Sequence, residues 1–193
     1  GHLIEAAVSH FLVTGEECFL ASGIKAADLI VQTFSGKGPL FTPGHEEIEI
    51  ALLRLFEVTH TQAYLLLAQQ FLVQRGNHKP LAFGLHMLAE NARVNQRSKI
   101  YREKQKLYVQ NQLNTPQPFQ LPPPNQITPI KSAKTRFLLS GLNGKYFQQH
   151  RPLEEQTIPV GHSVRYAYLQ TAATRRLRYQ RDEQSIFRLE KSW

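Results

Sequence analysis

A helix pair written twice, 45 residues apart, constrains this chain more than any other feature. Ile4, Ala7, Val8 and Phe11 recur at three-four-three spacing, which predicts one apolar stripe on a helix from about His2 to Val13. Thr14-Gly15-Glu16-Glu17 then stops that helix and starts another, with Thr14 and Glu17 spaced as a capping box. Leu20, Ile24, Ala27, Val31 and Phe34 continue as a second stripe, ended by Ser35-Gly36-Lys37-Gly38-Pro39. The pattern returns with Ile48, Ala51, Leu52, Leu55, Phe56 and Thr59, a His60-Thr61 turn, and Tyr64, Leu67, Ala68, Phe71 and Leu72. Val13-Thr14 and Val58-Thr59 stand 45 residues apart. A looser third copy begins at Gly161, with Val164, Ala167, Tyr168, Thr171 and Ala172 on one face and a return helix near Gln184 to Trp193. Helix pairs repeated at such a period stack into an open solenoid or a closed ring.

Between the second and third copies the chain changes character. Six of its 11 prolines fall between Pro116 and Pro129, where no helix is expected. Residues 80 to 112 are expected to hold one or two helices, the second carrying Arg93, Arg97, Lys99, Arg102, Lys104 and Lys106. The stretch of about 80-145 therefore reads as a basic and proline-rich insertion within one helical domain spanning 1-193.

Charge and composition narrow the function. The net charge of +8 is unevenly spread, with −4 on residues 1 to 75 and +12 on the remaining 118. A nucleic-acid reader would interleave such a basic run with several exposed aromatics, and only Tyr101 and Tyr108 do so here; a nucleic-acid partner is not expected. One cysteine, Cys18, excludes an intrachain disulfide framework and points to a reducing, cytoplasmic setting. No apolar run reaches the roughly 18 residues that a membrane span requires, and the opening stretch lacks the basic leader of a signal peptide. A first residue of Gly, inside a helix-opening motif, suggests a piece of a longer chain.

Each hairpin opens with the same dipeptide: Gly1-His2, Gly44-His45 and Gly161-His162. Three imidazoles at equivalent helix starts would share one end of the assembly with free backbone N–H groups and the positive helix-dipole ends, a setting suited to polar oxygens and to neutral imidazole. Glu46, Glu47 and Glu49 follow the second histidine, and at least two of them read as exposed partners of the helix dipole. The segment from Gln148 to Gln156 packs donors and acceptors onto a proline-held loop suited to hydroxyl recognition. Three histidines match the ligand count of an open zinc site, but their spacing gives that reading no support. No Ser-His-Asp signature, phosphate loop or dinucleotide fingerprint is present.

These residues resemble the β-L-arabinofuranosidase-like enzymes of glycoside hydrolase family 127. The matching blocks are Gly1-His2-Leu3-Ile4-Glu5-Ala6-Ala7-Val8, then Gly44-His45-Glu46-Glu47-Ile48-Glu49 running into Leu55-Phe56-Glu57-Val58-Thr59. The third block is His150-Arg151-Pro152-Leu153-Glu154-Glu155-Gln156 followed by Val160-Gly161-His162-Ser163-Val164-Arg165. The resemblance implies an all-α fold, part of an (α/α)6 six-hairpin barrel, and so favours closure over a solenoid. It implies that His2, His45 and His162 line a sugar pocket, with Gln149, His150, Glu155 and Gln156 on a loop near it. The implied reaction is retaining hydrolysis of a terminal β-L-arabinofuranoside, by a zinc-bound cysteine nucleophile and an acid/base glutamate.

In the family those catalytic residues lie beyond the third Gly-His hairpin, so this chain is expected to carry no catalytic residue and no zinc ligand of its own, and to be inactive alone. Twelve helices of about 15 residues need roughly 250 residues, so three of the six hairpins are expected here. Such a fragment would leave apolar helix faces uncovered and open to self-association. The alternative is a noncatalytic helical-repeat binding module that uses its basic insertion.

Overall fold

The computed structural model describes residues 1–112 and 141–192, so the proline-rich tract lies outside the described residues. Every regular element among them is helical. The α-helices are α1 (His2–Thr14), α2 (Glu17–Phe34), α3 (Glu47–Thr59), α4 (Gln62–Gln74), α5 (Pro80–Gln112), α6 (Ser163–Arg176) and α7 (Glu183–Ser192). Short 3-10 turns occupy Pro39–Phe41 and Leu153–Glu155.

The three expected hairpins are α1/α2, α3/α4 and α6/α7. Helix α3 sits between α1 and α6, and α2 and α4 pack behind this row. Ion pairs show that the three inner helices run in the same direction. Glu47 at the start of α3 meets His2 at the start of α1, with 3.2 Å between Oε1 and Nδ1. One to two turns further along, Arg54 of α3 meets Glu5 of α1 at 2.7 Å. Near the far end Glu57 of α3 holds Arg175 of α6. Side chains at the starts of α1, α3 and α6 therefore share one end of the row.

Packing explains the unusual burial of α3. Neighbours on three sides bury every residue from Glu47 to Leu53, together with Leu55. Ile4, Val8, Leu52, Leu55, Leu67 and Phe71 belong to a first core, while Ile50, Leu72, Leu153, Leu169, Ala172 and Leu189 form a second on the α6 side. Removing any of these leucines would forfeit about 1.5 to 3 kcal/mol of transfer free energy before any cavity forms.

Local expectations are corrected in three places. Thr14 does not open a capping box, because it is still the last residue of α1, and α2 begins at Glu17 after Glu16. Gly15 closes α1 in the left-handed region at φ 74, and Thr14 Oγ1 accepts from the Glu16 N–H at 3.1 Å instead. His60 does the same work at the second turn, with φ 54. On α6 the packed residues are Leu169, Gln170, Ala172, Ala173 and Arg176, whereas Val164, Ala167 and Thr171 are exposed, because α3 and α7 approach from the other side. Residues 80 to 112 form a single helix of 33 residues, whose basic residues from Arg93 to Lys106 are exposed. Glu46, Glu47 and Glu49 are not an exposed dipole-facing turn; all three are buried, at 0%, 6% and 0% exposure.

Candidate sugar site at the starts of the inner helices

His2 is the first residue of α1, His45 lies two residues ahead of α3, and His162 is the N-cap residue of α6. The register differs by one or two residues between copies, yet the rings of the first two meet. The His2 and His45 ring centres are 6.3 Å apart, and Tyr168, from the second turn of α6, stands 6.4 Å from the first and 5.5 Å from the second. His162 meets the edge of the Tyr146 ring at 5.3 Å. Its position depends on Gly161, which has φ 82 and lies so close to the Lys145 carbonyl that a Cβ would come within 2.1 Å of the oxygen.

The electrostatics favour neutral imidazole at His45. Burial lowers its pKa first, and the charges of Arg165, His2, Arg75 and His162 lower it further. The Glu47 backbone N–H donates to His45 Nδ1 at 3.4 Å, which puts the proton of the neutral ring on Nε2 as a donor. The dominant causes are thus burial and neighbouring cations.

Beneath the histidines lies a charged layer that sequence reasoning missed. Arg75, fully buried at the end of α4, donates through Nε to Glu49 Oε1 at 3.1 Å and through Nη1 to Glu46 Oε1 at 3.3 Å. Its Nη2 reaches the Pro43 carbonyl at 3.3 Å. Burial drives the Glu46 carboxyl up to about 7 despite Arg75 and Arg165, and drives Glu49 upward as well. The partners are 26 to 29 residues apart in the chain, so no local pattern signals the cluster.

The expected loop residues divide among other places. Gln149 is buried, accepting from the Gly76 N–H at 2.7 Å and donating to Thr42. It lies on the wall of a cavity of about 580 Å³ between the end of α2, residues 39–44 and α5. Gln156 is buried as a strut, its Nε2 donating to the Gln148 and Arg151 carbonyls at 3.1 and 2.8 Å. His150 and Glu155 share with it a separate recess of about 280 Å³ that also includes Lys145 and Arg151. Burial, then Arg151 and Lys145, lower the His150 pKa. Cys18 is exposed near the start of α2, about 20 Å from His2 along the axis of α1.

Among the described residues no group of three or more His, Cys, Asp or Glu side chains could hold a metal ion. Among the same residues no helix is long and apolar enough to cross a membrane.

The family model for the β-L-arabinofuranosidase GH127 catalytic domain matches residues 1–193. The chain belongs to that family. It is 29% identical over 173 residues to the non-reducing end β-L-arabinofuranosidase of Bifidobacterium longum subsp. longum, an alignment covering 89% of this chain and 20% of that protein. Its fold matches the crystal structure of a GH127 β-L-arabinofuranosidase from Geobacillus stearothermophilus T6 with a TM-score of 0.66 and 31% identity, over 100% of this chain and 24% of that one. The chain thus spans between a fifth and a quarter of the length of these GH127 relatives, and its helical rows are part of an α/α barrel.

Proposed function

We propose that these 193 residues supply the histidine-bearing part of the pocket that receives a terminal β-L-arabinofuranosyl unit. The observation that carries this reading is the approach of the His2, His45 and Tyr168 rings at one end of the inner row. A neutral His45 offers one donor and one acceptor, which suits the alternating demands of sugar hydroxyls, and an aromatic ring covers the apolar face of the furanose. Family membership supplies the sugar class.

Within this reading the chain binds and orients the sugar and does not cleave it. Its one cysteine is at the far end of α1 from the histidines, so it cannot serve as a nucleophile beside them. The test is titration of the purified 193-residue chain with methyl β-L-arabinofuranoside and its α-anomer, alongside an assay for released arabinose. Anomer-selective binding that His45→Ala abolishes, without arabinose release, is the expected result. Binding indifferent to all three histidines would overturn the pocket assignment, and arabinose release would overturn the noncatalytic one.

A further inference from the structure

We propose that Arg165 is a positioning residue for His45, tying the Gly44 carbonyl before that histidine and the Glu46 carboxylate after it to the helix that His162 caps. The inference rests on the reading of the three imidazoles as sugar contacts and adds the residue that holds two of them in register.

The contacts of Arg165 are all directed to this end. Its Nη1 donates to the carbonyl of Gly44, immediately before His45, and lies 3.4 Å from Glu46 Oε2, immediately after it. The guanidinium carbon sits 4.7 Å from the Tyr146 ring centre and 4.9 Å from that of Phe147. Tyr146 in turn packs edge-on against His162, which precedes Arg165 by three residues on α6. One side chain, 12% exposed, therefore spans from the neighbours of His45 to the neighbour of His162. A planar fork that stacks and donates at once is a task for arginine, because lysine offers a point charge without the plane.

The same geometry sets the chemistry of the imidazole. The groups facing His45 are His2 from α1, Glu46 and Glu47 beside it at the start of α3, Arg75 from α4, and His162, Arg165 and Tyr168 from the α6 region. After burial, Arg165 is the leading cause that holds the ring neutral. With Nδ1 accepting from the Glu47 N–H, a neutral His45 presents Nε2–H as a donor to a sugar oxygen. Losing Arg165 would free the Gly44-His45-Glu46 segment and remove the nearby cation together.

The test compares the 193-residue chain with Arg165→Gln and Arg165→Lys, following His45 ring nitrogens by NMR over pH 5 to 8, the affinity for methyl β-L-arabinofuranoside, and thermal melting. Arg165→Gln should shift the His45 titration to higher pH and weaken sugar binding by about tenfold, the scale of a lost charge-assisted hydrogen bond. Arg165→Lys keeps a cation, so it should hold the titration near that of the parent while still losing affinity. An unchanged titration and unchanged affinity in a folded Arg165→Gln chain would overturn the proposal. If that variant does not fold, Arg165→Lys decides: parental affinity rejects the positioning role and weakened affinity with parental melting supports it. If the parent chain binds no sugar, the His45 titration alone decides for Arg165, and the sugar reading fails separately.

Discussion

The rings of His45 and Tyr168 stand 5.5 Å apart on neighbouring inner elements, tilted by 55°, and the His2 ring meets both. Tyr168 is also packed against the second core, so its ring is braced from behind and presents its other side to the imidazoles. Tyr168→Ala should weaken binding of methyl β-L-arabinofuranoside by about 1 kcal/mol, roughly fivefold, with Tyr168→Phe close to the parent. Calorimetric titration of both variants checks this; an unaffected Tyr168→Ala would remove the ring from the sugar site.

Arg75 carries the largest stability prediction. Replacing it with Met leaves Glu46 and Glu49 buried without their shared guanidinium and should cost about 3 to 5 kcal/mol in urea unfolding at pH 7. The deficit should shrink as pH falls below about 7 and the Glu46 carboxyl, which burial holds high, takes up its proton.

Glu46 gives the chain an unusual pH profile. Its folded pKa of about 7 exceeds the ordinary 4.5, so the folded state binds the proton more tightly than the unfolded chain does. The associated stability is fully present below pH 4.5 and is lost as pH rises through 7, by at most about 3 kcal/mol. Glu46→Gln should flatten unfolding free energy across that window; an unchanged slope would show that Glu46 is not the titrating group.

Glu57 works in the opposite sense at the far end of the row. Burial pushes its pKa up, but hydrogen bonds from Arg175 and Tyr179, with the charges of Arg175 and Arg178, outweigh it and leave the carboxyl below its ordinary value. Its contribution is present above pH 4.5 and lost as pH falls through the depressed value. Glu57→Gln should cost about 1 kcal/mol at pH 7 and little in strong acid, measured by denaturant titration.

Gly161→Ala tests the backbone beneath His162. The left-handed conformation opposes a side chain, and so does the Lys145 carbonyl oxygen, 2.1 Å from where the added methyl would sit. A loss of about 1 to 3 kcal/mol in thermal or urea unfolding is expected, with a displaced His162 ring resonance.

What can be read from the residues alone follows the range of each interaction. The stripes Ile4-Ala7-Val8 and Tyr64-Leu67-Ala68-Phe71 repeat within a few turns, so periodicity is enough to locate α1 and α4. The Gly-His dipeptides mark helix starts for the same reason. Glu46, Glu49 and Arg75 are illegible because their pairing depends on α4 folding back over the start of α3. The stripe of α6 misleads because Val164, Ala167 and Thr171 have helical spacing without a helix packed on them among the described residues, while Arg176 and Gln170 are buried with polar partners. Gln149 and Gln156 are polar loop residues as their sequence suggests, yet their amides hold the backbone of the fold together.

Helix α5 behaves as a cantilever. Its 33 residues extend about 50 Å, but the buried anchor among its described side chains is Phe83, stacked on His78 near the fixed end. The exposed turns from Arg93 to Lys106 can exchange amide protons with solvent by local fraying, without any opening of the two cores.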